Sequence, residues 1–102
     1  MDALVLPKPA YNILRRLTGE TRPDVALSIA LKDLVRLRLE AAQAVIAVYE
    51  EKYGMSFGEF QEAWQAGRIS ARYSYEVEGD YWAWEAADSD VKVLQELAET
   101  MA

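Results

Sequence analysis

Between Ser74 and Asp90 the chain reads "SYEVEGDYWAWEAADSD", six carboxylates interleaved with two Tyr and two Trp. Carboxylates at this density do chemistry in two ways. A pair in unlike environments divides acid and base work, and a cluster of oxygens holds Mg²⁺ or Ca²⁺. Neither pattern is complete here. The chain has no His and no Cys, so the usual general base, the commonest zinc ligand and the thiol nucleophile are all missing. Glu85, Asp88 and Asp90 lack the calcium-loop spacing with its Gly and its twelfth-position Glu. There is no glycine-rich phosphate loop and no nucleophile elbow. The expectation is a protein that is not an enzyme, with no cofactor and no metal.

Recognition is the remaining use for such a segment. Residues 1–38 carry seven basic and four acidic side chains, and residues 39–102 carry four basic and 13 acidic ones. An acidic half repels nucleic acid and attracts a basic protein. Arg15, Arg16, Arg22, Arg36 and Arg38 leave a DNA-binding reading open. The turn "TGETRPD" is long and acidic at both ends, however, and the helix after it is too apolar to lie in a groove. Nucleic acid is therefore not an expected partner by itself.

The elements that must position these residues are set out by helix signals. At 102 residues and 52% hydrophobic content, with five Gly and three Pro, the chain reads as one helical domain, 1–102, with 1–8 expected to be flexible. No run of about 18 apolar residues spans a membrane. The start "MDALVLPKPAYN" is a poor signal peptide, so the expected compartment is the cytoplasm. "KPAYNILRRLTGE" has Pro9 in its first turn, Gly19 at its end, and Ile13, Leu14 and Leu17 as its apolar face. The next helix runs from a Thr21 cap through Pro23 and Asp24 to Gly54, roughly 45 Å of helix. Leu27, Leu31, Leu34, Ala41, Val45 and Val48 fall on one row, interrupted only by Arg38, with Val35, Leu39, Ala42, Ile46 and Tyr49 widening it. Such a helix cannot cover itself and requires a second long helix, from its own chain or a twin. Arg38 either snorkels to water or sits in an interface and fixes its register.

Ser56 and Glu59 make a capping box, so Gly54–Ser56 is a tight corner into a helix that buries Phe57, Phe60 and Trp64. The opening segment has two readings. "RYSYEV–EGD–YWAWE" alternates like a β-hairpin. As a helix capped by Ser74, it puts Val77, Tyr81, Trp84, Ala87, Val91, Leu94, Ala98 and Met101 on one stripe. The helix accounts for the same residues and everything after them, so it is preferred, although Gly79 costs about 1 kcal/mol in a helix interior. Trp82 lies about 200° from Trp84 around such a helix, so one of the two faces something other than the core.

The series "LKDLVRLRLEAA", "YEEKYGMSFGEFQEAWQAGRI" and "YSYEVEGDYWAWEAA" resembles small helical proteins of bacteria and archaea that occur as the antitoxin-like member of toxin–antitoxin gene pairs. The similarity covers about Asp24 to Ala87, and Gly79 departs from it. The resemblance implies a non-catalytic inhibitor that neutralises a cognate toxin by binding it, and the acidic half suits a basic one. The expected fold is all-α, a long antiparallel helical hairpin with short accessory helices, forming a homodimer. The expected partner-binding residues are Tyr75, Glu76, Glu78, Asp80, Tyr81, Trp82 and Glu85. The expected dimer and core residues are Leu27, Leu31, Leu34, Arg38, Val45, Val48 and Trp84. The alternatives are a self-associating scaffold and a DNA-binding autoregulator.

Overall fold

Local signals decide where each helix starts and stops. In the computed structural model, which describes residues 4–101, these are α1 (Lys8–Thr18), α2 (Pro23–Tyr53), α3 (Phe57–Gln65) and α4 (Tyr75–Met101). No strand occurs among the described residues, so the fold is all-α. Residues 1–3 of the stretch expected to be flexible lie outside the described residues, and Lys8 already belongs to α1.

Gly19 and Gly54 end α1 and α2 in the left-handed conformation, at φ of 72° and 66°, where a side chain is disfavoured. Each donates its N–H back to the last turn, to Arg15 O and Glu50 O, at 2.8 Å. The capping box closes on both arms. Glu59 N–H donates to Ser56 Oγ at 3.2 Å, and Ser56 N–H donates to Glu59 Oε1 at 3.0 Å. Thr21 does not cap α2. Arg22 holds that position without a side-chain cap. The Thr21 carbonyl instead accepts the Tyr11 hydroxyl at 2.7 Å, which ties α1 to the start of α2.

The acidic aromatic segment is helix, and the β-hairpin reading is overturned. Ser74 Oγ accepts from Val77 N–H at 3.2 Å, and α4 then runs unbroken through Gly79 and Asp88–Asp90. A stripe of apolar residues at helical spacing outweighs the alternation of a lone two-stranded ribbon, which is marginal in water.

Most of the packing joins α2 to α4. Their contacts run in reverse order: Lys52 meets Glu76 and Asp80, Tyr49 stacks on Trp84, and Val35 and Leu39 share a groove with Ala98 and Met101. Phe60 and Trp84 are the largest fully buried side chains, and Ala26, Ala42, Ala63 and Ala87 complete the buried set among the described residues. The row of α2 that meets α4 is Val35, Leu39, Ala42, Ile46 and Tyr49, each buried or half-buried. The other row points outward. Leu31, Leu34, Arg38, Val45 and Val48 are exposed, and Leu27 is half-buried. On α1, likewise, Ile13 and Leu17 are exposed, and of the three expected apolar residues only Leu14 is half-buried.

Candidate functional site

The first three turns of α4 are divided by helical period into an inner and an outer half. Trp84 points inward and is enclosed by four rings, with centroids at 5.7 Å (Tyr49), 5.8 Å (Tyr53), 5.5 Å (Phe57) and 5.0 Å (Phe60). Its indole N–H is buried with no acceptor among the described residues. Tyr81 is half-buried on the same side, 4.8 Å from Trp64 and 6.0 Å from Phe60 between ring centroids. The Gln61 amide donates to its hydroxyl at 3.2 Å. The corner at Gly54–Ser56 is what brings Phe57 and Phe60 onto this cluster.

Trp82 takes the outer side. It is 64% exposed and touches Tyr81 edge-on at 5.4 Å. Tyr75 is 96% exposed. Tyr73 is exposed as well, with the Arg72 guanidinium 4.6 Å over its ring. Arg72 is held by its Nη1, which donates to the Trp64 carbonyl at 2.6 Å. These aromatics flank a helix surface that contains no basic residue from Tyr75 to Val91.

The carboxylates do not act alike. Lys52 Nζ donates to Glu76 Oε1 at 2.8 Å and to Asp80 Oδ2 at 2.6 Å, and the Tyr53 hydroxyl donates to the same Asp80 oxygen at 2.6 Å. Burial alone raises the Asp80 carboxyl, but the bonds from Lys52 and then Tyr53 outweigh it and hold it below the ordinary carboxylate range. Lys52 is raised above the ordinary lysine value, chiefly by Asp80 and then Glu76. Tyr53 is pushed up to about 12, first by burial and then by its bond to Asp80. Asp80 therefore buttresses the join between α2 and α4. Glu78 and Glu85 are half-buried and make no ion pair among the described residues.

Of the seven residues expected to meet a partner, Tyr75 and Trp82 stand free. Glu76 is exposed but tied to Lys52, Glu78 and Glu85 sit at the edge, and Asp80 and Tyr81 turn inward. Sequence reasoning missed Lys52 and Tyr53. Lys52 is the only basic residue from 39 to 67, and an acidic first turn packed nearby calls for such a counter-charge. Among the described residues no three acidic side chains converge as metal ligands. Of the arginines offered for DNA, Arg22 is paired with Asp24, and Arg36 with Asp33 and Glu40.

No protein-family model matches the chain, and no curated protein or solved structure shows significant similarity to it.

Proposed function

We propose that this chain is a non-catalytic, cytoplasmic protein-interaction module, an antitoxin-like inhibitor that binds a basic toxin-like protein through the outer half of its acidic aromatic segment. In this reading α2 and α4 form one antiparallel hairpin, and two copies make the working unit. The observation that carries it is Trp82, a large aromatic 64% exposed on a helix surface without a basic residue nearby in sequence. An aromatic anchor ringed by charge suits the centre of an interface, with the acids speeding and selecting the encounter.

The test is a native pull-down of the tagged full chain from its own host, with mass spectrometry on the eluate. A stoichiometric basic protein, bound 1–2 kcal/mol more weakly by Trp82→Ala and released by salt, supports the reading. Return of the chain alone removes the inhibitor reading. A self-associating scaffold then stands in its place, favoured by the exposed row Leu31, Leu34, Val45 and Val48.

A further inference from the structure

Tyr75, Gly79, Trp82, Ala86, Val93 and Leu97 are all exposed and follow one another at steps of four, three, four, seven and four residues. At about 100° per residue these steps keep all six within about 60° of one another around α4, on the side turned away from Trp84. The stripe is ~33 Å long, and α4 runs under it unbroken. Gly79 and Ala86 leave gaps on either side of Trp82, and a methyl group built at Gly79 meets nothing within 4 Å. Steps of three and four residues, with gaps between large side chains, are how one helix receives the side chains of another. An extended strand repeats every two residues and does not match them.

Carboxylates border the stripe on both sides. Helical period places Glu78, Glu85 and Glu96 along one edge and Asp90 along the other. Among the described residues these four make no ion pair. Lys92 is the one base of α4, and Asp88 holds it at 3.3 Å. A second copy laid on by the same surface brings the same acids and is repelled. An occupant with Lys or Arg beside its apolar residues supplies the counter-charges that α4 lacks.

We propose that this stripe is a helix-docking seam, and that its occupant is a basic amphipathic helix of a partner protein. That helix carries apolar side chains at three- and four-residue steps, with Lys or Arg on both flanks. Trp82 and Val93 anchor it at two points ~17 Å apart, and the gaps at Gly79 and Ala86 take its own large side chains. Its basic flanks face Glu78 and Glu85 on one edge and Asp90 on the other. The inference rests on the reading that the outer half of the acidic aromatic segment meets a basic protein. It names the element of that protein which docks, and it lengthens the surface to Leu97.

The test titrates the full chain into an end-labelled peptide of three heptads, with Leu at both core positions, Lys on both flanks and Ala elsewhere. A control peptide has Ser for every Leu and the same charge. Fluorescence anisotropy reads binding, and circular dichroism reads the helix gained in the mixture and the folding of each variant alone. Val93→Glu decides the matter, because a further carboxylate tightens a complex held by charge alone and weakens one held by the seam. The expected result is binding with a gain in helicity, at least about tenfold weaker for the Ser control, for Trp82→Ala and for Val93→Glu. Val93→Glu that binds as tightly as wild type, or a peptide that binds without becoming helical, overturns the seam while the basic-partner reading stands. A chain that holds a basic protein in the pull-down through Trp82 yet does not bind the peptide does the same. A pull-down that returns the chain alone, with no binding of the peptide, removes both. Salt-reversible oligomers of the chain that vanish when Arg15→Glu and Arg16→Glu are combined give the stripe to α1 of a second copy and overturn the proposal.

Discussion

Trp82 and Trp84 are two positions apart and chemically identical, yet they belong to different energetic classes. Trp84 is fully buried among four rings, so Trp84→Ala is expected to cost about 3–5 kcal/mol. Trp82→Ala is expected to shift stability by no more than about 0.5 kcal/mol. Urea denaturation of both variants checks this, and equal losses would sink the assignment. Asp80 carries a pH signature. Its folded carboxyl is held below the ordinary value of 3.8, so its contribution is full above that pH and is lost as pH falls through the lowered value. Lys52 and Tyr53 are raised from 10.5 and 10.0, so theirs is full below pH 10 and is lost as pH rises further. Asp80→Asn is expected to flatten both limbs of a melting-temperature profile, and an unchanged profile would remove Asp80 from the join. The residues legible beforehand were those fixed by local period. The 200° between the two Trp required one to leave the core, but which one depended on Phe57 and Phe60, and these reach Trp84 only through the corner before α3. The bonds that turn Asp80 inward were not legible for the same reason, because Lys52 and Tyr53 lie 28 and 27 residues away in sequence.

At the scale of elements, the caps other than Thr21 were readable and the faces were not. Gly19, Gly54, Ser56 with Glu59, and Ser74 each act locally, and each is found where its chemistry put it. The face of α2 is a different matter. Its apolar arc contains two rows about 90° apart, and periodicity alone does not say which meets the same chain. The row through Tyr49 does so because Tyr49 and Tyr53 join the ring cluster around Trp84. The row through Leu31 and Val45 is left facing solvent. Gly79 is the weak point of α4, which spans it unbroken. A methyl group built there meets no other part of the chain within 4 Å, and the backbone is not left-handed. Gly79→Ala is therefore expected to add about 0.5–1 kcal/mol, read as a higher urea midpoint with an unchanged slope. A loss instead would mean that something closes on that surface.

The molecule as a whole is long and thin, 56 × 23 × 19 Å, with a radius of gyration of 19.5 Å against about 13 Å for a compact chain of 100 residues. Among the described residues four of the six buried hydrophobic residues are alanines, so a single copy owes its stability to one ring cluster near the α3 corner. The far halves of α2 and α4 are held mainly by their own backbone hydrogen bonds and by a shallow groove at Val35, Leu39, Ala98 and Met101. Such a chain gains stability from whatever covers its apolar face, and if the cover is a second copy, unfolding becomes linked to dissociation. Each tenfold rise in concentration then adds about 1.4 kcal/mol per dimer. For a unit of about 200 residues, this raises the melting temperature by about 3–5 °C. Val45→Glu, which puts a carboxylate on the exposed apolar row, is expected to melt lower and to lose that dependence over the same concentrations. A wild-type melting temperature that stays constant across a hundredfold dilution, in a chain that keeps its helicity, would mean that the ring cluster alone holds the fold. The exposed leucines and valines would then contribute nothing to the stability of the isolated chain.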